Sequence, residues 1–337
     1  MLFPEIVFTI NPIMVFGILL VSGALGGYLA HRIHWLPSIT GFMLVGMLLG
    51  PEVTGLLGKE ALDNAAIISE IALSLILYQL GSSLNVRKLG RRPYVFAAAV
   101  FESLFSFLVV FTVLHSFGFS WAISGLAAAI FISSSPAVLV HVAHEMRAAG
   151  KITETGKTLV AINNVLAFVA FSLIMPLSHL GSEHSVVTMA LQSFYRFLGS
   201  ACLGGLLGLL LVVLARFTSE AVQYRFALII GAVMLMMGVA EALGLSTLFA
   251  PLVMGIVVRL ADREKLLKQV EFGSGFELFF IALFVLAGAN LHLAELWQLW
   301  PVVLAVVVAR SLGKYLAVLS AGLAFRRSRE ECLSTGL

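Results

Sequence analysis

The sequence predicts an all-α polytopic membrane protein, and three observations carry that expectation. Hydrophobic residues make up 60% of the 337 positions and charged residues only 12%, against about 25% charged in a soluble domain. Apolar runs close to the roughly 20 residues that a helix needs to cross hydrocarbon recur from one end to the other. Lys and Arg gather on every second connection between those runs, the asymmetry that marks the cytoplasmic side of a membrane protein.

The runs give about eleven spans. Ile13–Ala30 carries Gly23 and Gly27, four apart, the spacing that lets helix backbones approach closely. Leu36–Gly50 is short and borrows from its flanks. Ala65–Leu84 follows, and then Pro93–Phe117, which a proline opens. Trp121–Val142 is interrupted by Ser133-Ser134-Ser135-Pro136, and Thr158–Leu177 by the paired amides Asn163 and Asn164. Val187–Ala215 repeats the glycine spacing at Gly204 and Gly208. Phe226–Ala240, a second short run at Leu245–Val258, Leu278–Leu293 and the proline-opened Pro301–Phe325 complete the set. No linker is long enough to separate domains, so residues 1–337 read as one transmembrane domain.

The basic residues orient it. Arg32, the cluster Arg87 to Arg92, Arg147 to Lys157, Arg216 and Arg225, Arg259 to Lys268, and the tail from Arg326 to Arg329 share one side. Only Lys59, Arg196, Arg310 and Lys314 fall elsewhere. The amino terminus is therefore expected outside and the carboxy terminus in the cytoplasm, as in a bacterial inner membrane. The net charge of +3 sits in short connections and does not suggest nucleic acid. Cys202 and Cys332 form neither a disulfide framework nor a metal spacing. The first residues lack a basic n-region, so no cleaved signal peptide is expected. With no nucleophile–base set, phosphate loop or metal cluster, the sequence points away from an enzyme and calls for no cofactor.

The chain also repeats itself. Glu70, Gly81, Leu84 and Leu89 recur as Glu277, Gly288, Leu291 and Leu296, each 207 residues later; Leu36 and Gly46 recur as Leu245 and Gly255 at 209; Pro93 recurs as Pro301 at 208. Matched spans run in opposite directions by the charge pattern. Such an inverted-topology repeat is the mark of a secondary transporter whose site lies near the midplane.

The candidate site is the pair of interrupted spans. Polar or irregular backbone at membrane depth survives only where it is buried in protein or lines a cavity. Ser133, Ser134 and Ser135 beside Asn163 and Asn164 therefore read as a solute pathway. The competing reading is that the serines join helices and Pro136 kinks one. Two charges stand at matching depth, Glu102 and Arg310, each nine residues into its span and roughly 14 Å from its start. A midplane charge costs about 2.5 kcal/mol or more unless paired or hydrated. Arg310 is accordingly expected to donate to the Asn163 or Asn164 carbonyls or to Glu102, with structural packing as the alternative. Lys314, one turn nearer the cytoplasm, is expected to snorkel. His141 and His144 follow the serine break, as solvated loop residues or as a pH sensor.

Leu36-Pro37 followed by Gly41, Gly46 and Gly50-Pro51, the stretch GSSLNVRKL, the Ser-Pro break, the polar pair, LGLSTLFAPLVMG and ALFVLAGANLHL stand in an order that resembles the monovalent cation:proton antiporter superfamily, in particular its second family. The resemblance covers essentially the whole chain. It implies crossed broken helices with the ion site on a polar pair of the neighbouring helix, here Asn163 and Asn164. It implies that Arg310 is the basic residue beside that pair. It also implies a homodimer contacted through the glycine-spaced helices, although packing within one chain explains the same glycines. The implied cargo is Na⁺ or K⁺, with a proton as the exchanged species. The family's pair normally includes an acid; an amide oxygen can bind Na⁺ but cannot exchange a proton, so the expected coupling group is missing. By the same resemblance two further helices, including a second broken one, are expected beyond Leu337. A transport-inactive scaffold or sensor, or a pathway without proton coupling, stands as the alternative function.

Overall fold

The computed structural model describes residues 11–33, 36–84, 93–177, 186–218, 222–262, 264, 266–267 and 274–324. The basic clusters at 87–92 and 326–329 and Cys332 lie outside them. All regular structure among the described residues is helical: α1 (Pro12–His31), α2 (Ser38–Leu49), α3 (Lys59–Ser83), α4 (Pro93–Ser116), α5 (Trp121–Ile132), α6 (Pro136–Glu145), α7 (Lys151–Leu177), α8 (Val186–Phe217), α9 (Val222–Ala242), α10 (Phe249–Ala261), α11 (Ser274–Ala289), α12 (Leu293–Gln298) and α13 (Trp300–Ala324). Eight candidate spans are long and apolar enough to cross a membrane, and three shorter apolar helices fall at Ser38–Leu49, Phe249–Ala261 and Glu277–Ala289.

Local chemistry sets the helix starts. The Asn11 side chain accepts from Met14 N at 2.8 Å ahead of Pro12. Ser120 Oγ accepts from Ile123 N at 3.2 Å and opens α5. The fifth span is two helices. Pro136 has no N–H and bars the α conformation from the residue before it. Ser135 is accordingly extended, with ψ of 110°, and Ser133, which ends α5, is extended as well, with ψ of 137°. Ser135 Oγ then caps α6 by accepting from Val138 N at 3.3 Å. Asn163 and Asn164, in contrast, do not interrupt their helix, because α7 runs unbroken through both.

The chain divides into two compact units. One holds residues up to Leu73 together with Phe272–Glu295, and there α1, α2 and α11 pack on one another. Glycines make that packing close. A methyl group on Gly46 would strike Val285 O and Ala289 N of α11, and one on Gly288 would strike Met43 O of α2. Gly23 faces Ile281 and Val285, and Gly27 faces Phe42.

The other unit holds Ser74–Glu271 and Leu296–Leu337. Here α13 lies along α4, α4 along α5, and both α4 and α5 along α7. A second layer forms where α10 lies along α8 and α9 packs on both. Stacked rings of Phe168, Phe197 and Phe249, with centroids 4.8 and 4.9 Å apart along the chain of contacts, tie α7, α8 and α10 together. The end of α3 meets α10 through glycines: a methyl on Gly81 would strike Leu252 O, and one on Gly255 would strike Tyr78 O and Ser82 N. Gly204 and Gly208 of α8 face Ala250 O and Met254 O of α10. The glycine spacings of α1 and α8 thus serve packing within the chain. Outward positions such as Val21, Leu25 and Leu29 on α1 and Leu206, Leu209 and Leu210 on α8 are exposed apolar side chains, the composition a lipid-facing surface needs.

Candidate functional site

Breaking a helix leaves its last carbonyls without partners and exposes the negative end of its dipole. At the end of α5 that need is met by two cations, one turn apart on α13. Arg310 Nε donates to Phe131 O and an Arg310 terminal nitrogen to Ser133 O, each at 2.8 Å. Lys314 Nζ lies 2.6 Å from Ser134 Oγ and 3.4 Å from Ile132 O. From α4, Ser106 Oγ adds a bond to Phe131 O at 3.1 Å.

Lys314 also pairs with Glu102 Oε1, 2.8 Å away. Glu102 is only 7% exposed, and the same oxygen accepts from Asn163 Nδ2 at 3.0 Å. Asn163, 1% exposed, accepts in turn from Ser103 Oγ at 3.1 Å. Its neighbour closes the other side: Asn164 Oδ1 accepts from Ser133 Oγ at 2.8 Å, and Asn164 Nδ2 donates to Ser134 O at 3.0 Å and to Val160 O at 2.8 Å. Four elements therefore meet at one polar network: α4 through its acid, the break through its backbone, α7 through its amides and α13 through its cations.

Asn163, Asn164, Ser133, Ser134, Glu102 and Arg310 are brought together. Ser135 is not, since its hydroxyl is exposed and caps α6. Two expectations need correction. Arg310 binds neither the amide carbonyls nor Glu102; it holds the backbone carbonyls of the break. Lys314 does not snorkel outward, because a buried carboxylate and a serine hydroxyl draw its ammonium inward. Sequence reasoning also passed over Ser103 and Ser106, although Glu102, Ser103 and Ser106 form a polar stripe on one face of α4 at helical spacing. His141 is no loop residue: it lies in α6, is buried, and sits 3.9 Å from Glu145.

The network is closed in this conformation, with every amide oxygen and nitrogen of Asn163 and Asn164 already engaged. A cavity of about 410 Å³ between α8 and α9, lined by Leu207, Leu211, Leu228 and Leu235 among others, is apolar and offers an ion nothing.

The family described as sodium/hydrogen exchanger, transmembrane, matches residues 17–337. The chain belongs to the sodium/hydrogen exchanger family. It is accordingly an integral membrane protein of a transporter family and not an enzyme. Among solved structures it is similar to the sodium proton antiporter MjNhaP1 from Methanocaldococcus jannaschii, with a TM-score of 0.71 at 22% identity over 96% of this chain and 80% of that chain. At that identity the likeness speaks for the fold. No curated protein matches the chain. Within the exchanger fold, the serine break and the amide pair stand on adjoining helices, with two basic residues of α13 against the break.

Proposed function

We propose that this exchanger-family chain is a single transmembrane domain that moves a small monovalent cation, Na⁺ or K⁺, in exchange for protons by alternating access. Asn163, Asn164, Ser133 and Ser134 supply neutral oxygens to the ion, and Arg310 holds the break in shape. The observation that carries the reading is the convergence of the broken fifth span, the amide pair and the α13 cations on one network in mid-helix. Buried polar groups at this density are costly in a membrane protein unless function retains them.

The glycine contacts support the inverted repeat behind such a mechanism. Gly46 meets residues 285 and 289 as Gly255 meets 78 and 82, and Gly288 meets residue 43 as Gly81 meets 252. Each contact maps onto its counterpart with one side displaced by 209 residues and the other by 207. The basic connections favour an outside amino terminus and a cytoplasmic carboxy terminus in a bacterial inner membrane. A homodimer rests on the family resemblance, with outward apolar faces such as that of α8 as its contact.

A second reading has its own observation: the amide pair is neutral and fully bonded, which suits a proton-uncoupled pathway or a transport-inactive homologue. Purified protein in liposomes with an imposed pH gradient separates these. Proton efflux driven by added Na⁺ or K⁺ supports exchange, cation flux without protons supports the uncoupled pathway, and silence under every gradient supports the inactive homologue.

A further inference from the structure

Resting on that reading and on the orientation it gives the chain, we infer that the stacked rings of Phe168, Phe197 and Phe249 are the outer gate of the ion path. They form an apolar seal one helical turn outward of Asn164. Phe168 must leave the other two rings before an ion from outside reaches the amides.

The rings stand directly beside the polar network. Phe168 follows Asn164 by four residues on α7, about 6 Å along the axis and on the same face. Its ring lies 4.8 Å from that of Phe249 at 6° and 6.0 Å from that of Phe197 at 27°. Phe197 and Phe249 are 4.9 Å apart at 21°. Phe249 is only 6% exposed. The basic connection from Arg147 to Lys157 precedes the middle of α7; with that side cytoplasmic, Phe168 lies outward of Asn164. A hydrophobic constriction bars ions by excluding water, since an ion stripped of its water gains nothing from apolar walls.

Two hydrogen-bonded layers meet at these rings. Phe249 opens α10, and its N–H donates to Ser246 Oγ at 3.1 Å. Ser246 N donates in turn to Ser200 Oγ of α8 at 2.9 Å, and Ser74 Oγ of α3 donates to Thr247 O at 3.1 Å. At Gly204 and Gly208 of α8 the contact with α10 is backbone on backbone. Phe197 and Phe249 therefore belong to one tightly fastened layer. Phe168 belongs to the other, because Asn164, one turn before it, is bonded to Ser133 and Ser134 of the break. Between the layers the rings present flat faces without donors or acceptors. Parting them strands no buried polar group, as parting a hydrogen-bonded contact would. Stacking then favours closure beyond what the buried area alone supplies. A gate needs both properties: it opens readily and returns to one closed position.

Two experiments test the gate, both on the full chain with Cys202→Ser and Cys332→Ser as background. The first reads access and needs no transport. Asn164→Cys is treated with a charged, membrane-impermeant methanethiosulfonate in right-side-out and in inside-out membrane vesicles. Adding Phe249→Ala is expected to speed labelling in right-side-out vesicles about 10-fold or more, the scale of losing a stacked ring pair. The inside-out rate is expected to stay as it was. Phe168→Ala does the same from the other side of the stack, so the result does not hang on one variant folding. Right-side-out rates that are equal with and without the rings overturn the inference, as does acceleration confined to inside-out vesicles. The second experiment reads transport. Phe168→Cys with Phe249→Cys, bridged by a short bis-methanethiosulfonate, pins α7 to α10; exchange in liposomes is expected to stop on bridging and to return with reductant. Tyr195→Cys with Leu243→Cys, bridged in the same way within the second layer, is expected to exchange as before. Exchange by the bridged ring pair at its unbridged rate overturns the gate. A protein whose labelling depends on the rings but which moves no ion under any gradient leaves the seal standing and removes antiport. One that exchanges ions while labelling and flux ignore the rings leaves antiport standing and removes the gate.

Discussion

Lys314 Nζ sits 2.8 Å from Glu102 Oε1, both side chains nearly buried, across the contact of α13 with α4. A pair of this kind is weak evidence for stability, since two desolvated charges are costly even when joined. Removing one partner is a different matter. Lys314→Met leaves Glu102 with Asn163 as its remaining donor and is expected to destabilise the protein by about 3–5 kcal/mol. The double substitution Glu102→Gln with Lys314→Met removes the stranded charge and is expected to recover most of that loss. Thermal unfolding in detergent of both variants checks it; a double variant no more stable than Lys314→Met contradicts the pairing.

Arg310 binds two carbonyls of the break at once, Phe131 O and Ser133 O. A planar fork with several donors spans them; a lysine ammonium is a point charge on a different stem. Arg310→Lys is expected to slow ion exchange about 10-fold, and Arg310→Ala to abolish it, with hydrogen bonds from a charged donor worth about 1.5–3 kcal/mol each. Flux and unfolding temperature measured side by side decide the matter. Unchanged flux together with unchanged stability in Arg310→Ala would take the residue out of the mechanism.

How much of this was legible before the fold was seen follows from which residues act locally. The break at Ser133–Ser135 is written in Pro136, whose ring constrains its own neighbourhood whatever the tertiary structure. The segments follow from hydropathy, a property of runs. Lys314 was misread because its four-carbon stem reaches either toward water or toward a partner, and only the placement of α4 beside α13 decides which. Depth along the spans sets Arg310 level with Glu102, yet the guanidinium reaches the carbonyls of the break, which only the tertiary fold brings to it. Gly23, Gly27, Gly204 and Gly208 read equally well as contacts to a second copy or within the chain, since close approach needs the same missing side chain in both cases. The amides of α7 were read as an interruption, but an asparagine can satisfy itself on the preceding turn, as Asn164 does with Val160 O.

Gly46 and Gly255 make corresponding backbone contacts in different parts of the chain, and a Cβ at either would strike a carbonyl rather than a yielding side chain. Gly46→Ala and Gly255→Ala are each expected to cost about 1–3 kcal/mol, the range for overpacking a tight contact. Gly205 and Gly231 have nothing within 4 Å of an added Cβ. Their alanine variants are expected to be neutral or stabilising by up to about 1 kcal/mol, since alanine is the better helix former. Unfolding midpoints of the four variants in one detergent test the contrast, and equal effects across all four would contradict the packing described.

Asn164 donates from Nδ2 to Ser134 O and Val160 O while its Oδ1 accepts from Ser133 Oγ. Asn164→Asp keeps the acceptor and takes away both donors. An ionised aspartate would set its second oxygen against two carbonyls, a buried arrangement with no hydrogen between like-charged atoms. Two ways of relieving it exist: a proton on the aspartate, which restores one donor, or a cation, which joins carboxylate and carbonyl oxygens alike. Proton and cation then contend for the same oxygens. Cation uptake into liposomes by this variant is therefore expected to fall as pH drops, because protons win the site, and to recover as pH rises. Its pH profile should be steeper than that of the unaltered protein, with additional protons moved per cation. A variant whose flux and proton stoichiometry match the unaltered protein at every pH would show that position 164 does not face the ion.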